Sequence, residues 1–143
     1  MNSLYEALLL DRQLCFPLYA CAREMIKQYT PFLDELDLTY TQYIAMMVLW
    51  ERKSVSVKEL GEALYLDSGT LTPLLKKMEA KGLLTRRRSL EDERSLIVSL
   101  TEKGMALRDR ALNIPGQMAR CVNLAPEERQ ELYRLLYKLL KQE

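Results

Sequence analysis

The sequence of 143 residues contains no histidine, and its three cysteines show no C-x-x-C spacing. Without imidazole, the chain lacks the usual general base and the commonest metal ligand, which excludes Ser-His and Cys-His catalysis and most zinc sites. An odd number of scattered cysteines fits neither a secreted disulfide framework nor a zinc clasp. The composition predicts a protein of a reducing compartment that uses no metal or cofactor.

Long apolar runs are also absent. The longest, IAMMVLW at residues 44–50, has seven residues, far fewer than the roughly twenty that span a bilayer. The first residues, MNSLYEALLL, include an acid and no basic leader. We expect a soluble, unexported, cytoplasmic protein with no membrane partner. The length predicts a single domain, and no repeat or long linker divides the chain.

Charge is nearly balanced over the whole chain, with 21 basic and 20 acidic side chains. One segment differs, because residues 76–88 contain six basic side chains and a single acid, Glu79. Such a local excess predicts a surface that binds a polyanion. Two or three of these charges would suit any solvated helix or hairpin, whereas six favour the binding surface. They are Lys76, Lys77, Lys81, Arg86, Arg87 and Arg88.

Local signals mark the starts of helices. Residues 39–42 (TYTQ) and 56–59 (SVKE) match the capping box, in which a hydroxyl and a side chain three residues later satisfy each other's backbone N–H groups. The second of these helices, VKELGEAL, ends near Leu64. Another helix begins after a short turn, with Asp67 or Ser68 as N-cap, and stops at Gly82. This spacing predicts a helix-turn-helix.

After Gly82 the apolar period changes from that of a helix to that of a strand. LLTRRR and SLIVSL flank the turn-prone SLEDER, which predicts a two-stranded hairpin with a charged tip. Thr101 caps a further helix that breaks near Pro115, and Pro126 opens the last helix. The expected fold is mainly α with a small β wing, a winged helix-turn-helix.

The first predicted helix, residues 3–28, is apolar on nearly all sides, which calls for cover on two faces. Its two stripes are Leu10, Leu14, Leu18, Cys21 and Met25, and Cys15, Tyr19, Ala22, Ile26 and Tyr29. In so short a chain the other helices already pack against one another, so they cannot cover both faces of the first helix. We therefore expect a homodimer, with residues 1–30 and 102–143 as its interface around a winged lobe of residues 39–100. Burial of this helix within a monomer is the alternative.

The same pattern indicates which side chains would contact DNA. At the start of the second helix of the motif, hydroxyls and free N–H groups meet a dipole that favours phosphate. Basic side chains farther along would contact the DNA backbone, and an arginine beside a carboxylate at the hairpin tip suits a narrow minor groove. The predicted contacts are Ser68, Thr70, Thr72, Lys76, Lys77, Arg86, Arg88, Asp92 and Arg94. For the hydroxyls, simple capping of the helix is an equal alternative.

Several stretches resemble a known family. LTYTQYIAMMVLWE, LGEALYLDSGTLTPLLKKMEAKGLLTRRRS and DERSLIVSLTEKG are similar to the MarR family of dimeric winged-helix transcription regulators. With QLCFPLYACAREMIKQY, the chain also resembles the two-cysteine type of the OhrR branch, repressors that sense organic hydroperoxides. The resemblance covers residues 10–116. The D-x-R-S wing pattern is family-wide, whereas LCF together with DSGTLTPLL is specific to the thiol-sensing branch.

The resemblance implies a redox-responsive repressor that releases a pseudo-palindromic DNA operator when an organic hydroperoxide oxidises Cys15. It implies that the hydroxyls of Tyr29 and Tyr40 hold the Cys15 thiolate, with Tyr19 as an additional candidate. It also implies that Cys121 of the other subunit forms a disulfide with the oxidised thiol, although some members use small thiols instead. A thiolate held near a helix start is reactive, and its sulfenic acid condenses readily with a second thiol.

Helix geometry separates the two N-terminal cysteines. Cys15 and Cys21 lie about 240° apart around a helix, so they cannot bridge within one chain, and Cys21 is interpreted as a packing residue. All three cysteines could instead be small buried apolar side chains. The rival functions are a MarR-type regulator that responds to a small aromatic or anionic ligand, a thiol peroxidase and a helical interaction module. The peroxidase lacks a thioredoxin-like pattern, and the module leaves the basic wing unexplained.

Overall fold

The structure, a computed structural model, describes residues 3–141. Two short 3-10 helices, Ser3–Leu8 and Leu10–Arg12, precede a mainly helical fold with a small β-sheet. The elements in chain order are α1 (Cys15–Asp34), α2 (Tyr40–Arg52), β1 (Ser54–Ser56), α3 (Val57–Leu64), α4 (Ser68–Ala80), β2 (Leu84–Arg88), β3 (Leu96–Leu100), α5 (Glu102–Ala111), α6 (Ile114–Ala119) and α7 (Pro126–Leu140). The predicted fold class is confirmed.

The N-terminal helix differs from the prediction of one helix over residues 3–28. The α1 helix begins only at Cys15 and continues to Asp34. Pro17 explains the start, since a proline inside a longer helix would lose the bond to the carbonyl of Gln13 and clash with it. At the third position of α1 its missing N–H belongs to the first turn, where no intrahelical partner exists.

Both predicted capping boxes are present. The Thr39 hydroxyl accepts from the N–H of Gln42 at 3.2 Å, and the Gln42 amide oxygen accepts from the N–H of Thr39 at 3.1 Å. Ser56 and Glu59 make the same reciprocal pair at 3.0 and 3.1 Å. These contacts start α2 and α3 at the residues that the sequence indicated.

The wing is one strand larger than predicted. The short strand β1 adds to the hairpin and gives a three-stranded antiparallel sheet in the order β1-β3-β2. In this sheet Val55 pairs with Val98, and Leu84 pairs with Leu100. Three residues directly before a capping box carry too little alternation to signal a strand, so β1 depends on its pairing with β3.

The core lies between α2, α3, α4 and the sheet, where α4 packs its apolar face inward as expected. The largest fully buried side chains are Met46, Leu49, Leu60, Leu71, Leu75, Met78, Leu84 and Val98. Gly82 ends α4 with φ 79°, as predicted for a helix stop. The α7 helix, by contrast, contributes no buried residue in the single chain.

Candidate functional site

The α4 helix carries exposed hydroxyl side chains in its first turns, and its N-cap is supplied by another residue. Asp67 is the N-cap, and its carboxylate accepts from the N–H of Thr70 at 2.8 Å, a bond that holds the pKa of this carboxyl below its ordinary value. Ser68, Thr70 and Thr72 are all exposed, and the Thr72 hydroxyl donates to the Ser68 carbonyl at 2.8 Å. The cap is therefore Asp67, which leaves the hydroxyls of Ser68 and Thr70 able to donate to or accept from a ligand, while the Thr72 hydroxyl, whose hydrogen is already used, can accept.

Lys76 and Lys77 lie farther along α4, and both are exposed. Within residues 3–141, neither ammonium group makes a hydrogen bond or an ion pair. Cations without internal partners lose no interaction when they meet an anion. The exposed side of α4 thus carries hydroxyl groups near its start and two unpaired ammonium groups farther along.

The tip of the wing is held by its own hydrogen bonds. The N–H of Ser89 donates to the Ser95 carbonyl at 2.8 Å, and the Ser89 hydroxyl accepts from the N–H groups of Glu91 and Asp92 at 3.2 and 3.3 Å. The Asp92 carboxylate accepts from the N–H of Arg94 at 3.0 Å. Asp92 therefore fixes the backbone of Arg94 and leaves its exposed guanidinium without a partner in the described chain.

Two of the three arginines of β2, Arg86 and Arg88, are not equivalent. Arg86 pairs with Glu79 of α4, with a side-chain bond of 3.0 Å and a backbone bond of 3.0 Å, and these bonds lower the pKa of Glu79. Arg88 is exposed and donates to the Glu93 carbonyl at 2.9 Å. Arg86 therefore ties the wing to α4, a role that spacing along the sequence did not reveal. Leu90, at the tip, is fully exposed.

Cys15 is the first residue of α1, and its thiol is exposed. Tyr19 lies one turn later on the same face, where side chains four residues apart are neighbours. The Tyr19 hydroxyl accepts from Arg23 at 3.3 Å, and the guanidinium carbon of Arg23 lies 5.5 Å from the centre of the tyrosine ring. The start of α1 thus presents a thiol, a phenol and a cation on one exposed side.

Tyr29 and Tyr40 meet at the other end of α1. Their ring centres are 4.9 Å apart, and Tyr43 joins them at 5.8 Å from Tyr29 and 6.3 Å from Tyr40. Burial raises the pKa of all three phenols, that of Tyr43 to about 12. Sequence reasoning missed Tyr43, although its spacing of three residues from Tyr40 on α2 is a helical signal.

One chain does not bring the thiol and the tyrosine pair together. Tyr29 follows Cys15 by fourteen residues on the same helix, which separates their Cα atoms by about 21 Å along the axis. Neither side chain is long enough to cross that distance. Tyr19 is therefore the one predicted tyrosine that lies beside Cys15 in the single chain.

The other two cysteines are also exposed. Cys21 lies on α1, and in the single chain its stripe is open to solvent. Cys121 follows α6, in the connection to α7 where the sequence predicted it, and its thiol donates to the Gln117 carbonyl at 3.6 Å. The alternative that all three cysteines are buried packing residues does not hold for the isolated chain.

A large apolar surface is uncovered on the terminal elements. On α7 the exposed apolar side chains are Leu132, Tyr133, Leu135, Tyr137, Leu139 and Leu140, and near the N-terminus they include Leu8, Leu9, Leu10, Leu14 and Phe16. Soluble monomers seldom expose contiguous apolar patches of this kind. Along the described helices no segment is long and apolar enough to cross a membrane.

A cleft of about 310 Å³ lies between α2 and the junction of α5 with α6. Its lining is mostly apolar, with a basic residue and an acidic one. The lining residues are Tyr43, Met47, Trp50, Glu51, Arg108, Ala111, Leu112 and Pro115. Elsewhere in residues 3–141, no group of three acidic or cysteine side chains is arranged to hold a metal ion.

Comparison with known sequences identifies the family. The pattern of the SarA/Rot transcriptional regulators matches residues 27–111. The chain is also 51% identical, over 141 residues, to an organic hydroperoxide resistance transcriptional regulator of Bacillus subtilis (strain 168), with 99% of this chain and 96% of that protein covered. The resemblance seen in the sequence motifs is thereby confirmed along nearly the whole chain.

Solved structures of AbfR, a protein of Staphylococcus epidermidis, share this fold. Reduced AbfR bound to DNA matches with a TM-score of 0.79 at 32% identity, over 95% of each chain. Disulfide-formed AbfR matches with a TM-score of 0.67 at the same identity, over 95% of this chain and 96% of that one. Overoxidised AbfR bound to DNA matches with a TM-score of 0.78 at 32% identity, over 95% of this chain and 96% of that one. This chain is therefore more similar to the DNA-bound forms of AbfR than to the disulfide form.

Three observations indicate the same family. They are the winged helix-turn-helix fold, the family pattern over more than half of the chain, and the relative that matches along nearly its full length. These relatives are regulators of transcription and not enzymes. The chain belongs to the SarA/Rot family of transcriptional regulators, winged-helix proteins with the MarR-like fold.

Proposed function

We propose that the protein is a cytoplasmic, homodimeric DNA-binding repressor that releases its operator when an organic hydroperoxide oxidises Cys15. The observation that carries this proposal is the exposed Cys15 thiol at the first position of α1, in a chain 51% identical to an organic hydroperoxide resistance regulator. Partial positive charge at a helix start stabilises a thiolate, which is the reactive form.

The α4 helix would enter the major groove, where Ser68, Thr70 and Thr72 reach phosphates or base edges. Lys76 and Lys77 would contact the DNA backbone, since both are exposed and without internal partners. Arg88 would contact phosphate beside them. Arg86 would hold α4 in place through its pair with Glu79, and any guanidinium N–H left free by that pair would donate to a phosphate of the same DNA strand.

The wing would reach the adjacent minor groove. Asp92 holds the backbone of Arg94 while the guanidinium stays free, which suits insertion into a groove of concentrated negative potential. A two-fold dimer would place two α4 helices in successive major grooves about 34 Å apart. The operator would therefore be pseudo-palindromic.

The uncovered faces of α1 and α7 support a dimer formed by residues 1–30 and 102–143 around lobes of residues 39–100. Leucines and tyrosines exposed together on these elements are typical of a surface that a partner covers. Cover by a second copy would also enclose Cys21 within its stripe, in line with a packing role.

The dimer would complete the sensor. Since about 21 Å of helix separates Cys15 from Tyr29, the tyrosines that hold its thiolate would be the partner subunit's Tyr29 and the partner subunit's Tyr40. Tyr19, one turn from Cys15, would contribute from the same chain. Burial keeps the phenols protonated, because it raises the pKa of Tyr29 and of Tyr40. Protonated phenols donate hydrogen bonds to a thiolate.

The chemistry requires one oxidant and two thiols. The Cys15 thiolate attacks the terminal oxygen of the hydroperoxide, the O–O bond breaks, and the alkoxide leaves as an alcohol after taking a proton. The sulfenic acid then condenses with the thiol of Cys121 from the other subunit, which forms the S–S bond and releases water. A small thiol is the alternative second partner.

The test treats the reduced protein with cumene hydroperoxide and follows it by non-reducing gel, thiol mass spectrometry and an operator shift assay. We expect a covalent dimer and loss of the shift, both absent in Cys15→Ser. Cys121→Ser should yield sulfenic acid or a small-thiol adduct without the covalent dimer. Continued operator binding by oxidised wild type would contradict the proposal.

A second candidate is a regulator that responds to a small aromatic or anionic ligand. The cleft lined by Trp50, Met47 and Arg108 favours it, because it is mostly apolar and carries a cation. Cys15→Ser separates the two functions. A ligand sensor would still release its operator when an aromatic carboxylate such as salicylate is added to that variant, whereas a thiol sensor would stay bound under cumene hydroperoxide.

A further inference from the structure

Gln42 is one of the two buried polar residues of the described chain, with 3% of its surface exposed. Its amide oxygen accepts from the N–H of Thr39 at 3.1 Å and so completes the cap of α2. Tyr40, the first residue of α2, follows Thr39 directly. The Gln42 side chain therefore anchors the backbone on which Tyr40 is carried.

The same amide oxygen has a second donor. The ammonium of Lys81, at the C-cap of α4, donates to it at 3.1 Å. Lys81 also donates to the carbonyl of Asp37 and lies 3.6 Å from its carboxylate. Lys81, which directly follows α4, thus contacts both the connection after α1 and the start of α2.

Both helix ends that meet at Lys81 are closed by backbone hydrogen bonds. The N–H of Leu38 donates to the Leu33 carbonyl at 3.1 Å around Asp37, whose φ is 55°. The N–H of Leu83 donates to the Met78 carbonyl at 3.1 Å around Gly82. These are Schellman motifs, in which the terminal carbonyls are satisfied and the chain direction is set. Lys81 therefore lies between two helix ends that are closed by hydrogen bonds and not between two loose turns.

We propose that Gln42 and Lys81 are positioning residues that transmit a displacement of Tyr40 to α4. This inference rests on the proposed function, in which oxidation removes Cys15 from the partner subunit's Tyr40. The phenol then loses its hydrogen-bond partner, and the start of α2 shifts with the cap that Gln42 completes. Lys81 follows its acceptors, and α4 leaves the position that fits the major groove.

The neighbouring Lys103 offers a matched comparison. Its ammonium donates to the Lys81 carbonyl at 2.7 Å, so it contacts the same end of α4. Within residues 3–141, the Lys103 ammonium makes no hydrogen bond or ion pair with Gln42 or Asp37, both of which contact Lys81. Lys103→Met removes the same charge from the same end of α4 and leaves the link between α2 and α4 intact.

The experiment uses the full-length protein as wild type, Lys81→Met, Lys81→Arg and Lys103→Met. The operator dissociation constant of each is measured before and after cumene hydroperoxide, and thiol mass spectrometry follows Cys15. We expect Cys15 to be oxidised equally in all four. In Lys81→Met the ratio of oxidised to reduced dissociation constants should fall by about fivefold to tenfold. Lys81→Arg, which keeps donors, should restore it, and Lys103→Met should stay within about twofold of wild type.

The ratio of oxidised to reduced dissociation constants falls if the oxidised variant binds the operator more tightly, and also if the reduced variant binds it more weakly. A cooperative thermal unfolding transition checks that each variant is folded. A wild-type ratio in Lys81→Met, or an equal loss in Lys103→Met, overturns the inference. Failure of the proposed function itself looks different, because wild type would then keep its operator affinity after oxidation of Cys15.

Discussion

The winged lobe and the terminal helices of this chain differ in how they are stabilised. The lobe has a closed core of side chains such as Met46, Leu60 and Val98, none of which is exposed. The α7 helix also carries apolar side chains, but within the single chain it buries no residue. An amphipathic helix gains stability by covering its apolar face. The lobe thus has a core of its own, whereas the apolar face of α7 is left for the second copy of the chain in the dimer that we propose.

The largest expected effect tests the lobe side of this contrast. Leu60→Ala should lower the free energy of unfolding by about 2 to 5 kcal/mol, because it leaves a cavity in a closed core. Its matched control is Leu139→Ala on α7, where the side chain is 46% exposed. Chemical denaturation at low protein concentration should show little change for the control. Equal losses in the two variants would break the contrast.

The next effect tests the terminal side. Leu135→Glu should weaken operator binding by about a hundredfold, because a charge at the apolar face of α7 prevents cover by the partner. Sedimentation velocity should show monomers, while circular dichroism shows the lobe still folded. Lys138→Glu, on the charged face of α7 that also carries Glu131 and Arg134, is the control and should stay dimeric. A dimeric Leu135→Glu would mean that another surface covers the chain.

A smaller effect separates the parts of the lobe. Arg94→Ala should cost about 1 to 3 kcal/mol of operator affinity and reduce the salt dependence of binding, because a free guanidinium leaves the minor groove. Lys27→Ala, which removes a cation already paired with Glu24 at 3.3 Å on α1, should change neither quantity. Titrations at several salt concentrations measure both. If operator binding by Arg94→Ala depended on salt concentration as strongly as binding by wild type, Arg94 at the tip of the wing would not contact the DNA.

The smallest effect concerns the start of α4. The bond from Thr70 lowers the pKa of Asp67 in the folded state, so the ionised carboxylate stabilises the fold above its ordinary pKa. This contribution is lost as pH falls through the folded-state pKa. The stability advantage of wild type over Asp67→Asn should therefore shrink between about pH 5 and pH 3, as thermal unfolding would show. A constant difference would mean that the Asp67 charge is irrelevant.

Sequence reasoning succeeded where the determining contacts are local. Thr39 with Gln42 and Ser56 with Glu59 are three residues apart, so the starts of α2 and α3 were readable from the chain. It failed where partners are distant in sequence, as for β1, which pairs with β3, and for Arg86, which pairs with Glu79. Pro17 was a local signal that the apolar periodicity of the N-terminal residues outweighed.

The candidate site shows the same division. The family resemblance, and not spacing, assigned Cys15, Tyr29 and Tyr40 to one function. It said nothing of the roughly 21 Å of helix between the thiol and Tyr29, nor of the ring contact at 4.9 Å that joins Tyr29 to Tyr40.

The sequence by itself determined the order of the helices, their caps and the winged helix-turn-helix, because backbone capping and apolar period act over a few residues. Only the tertiary structure decided that the Gln42 amide oxygen serves two helices at once and that the ring of Tyr29 lies 4.9 Å from the ring of Tyr40. Those facts depend on how helices pack, since a hydrogen bond between residues thirty-nine positions apart leaves no periodic trace in the chain.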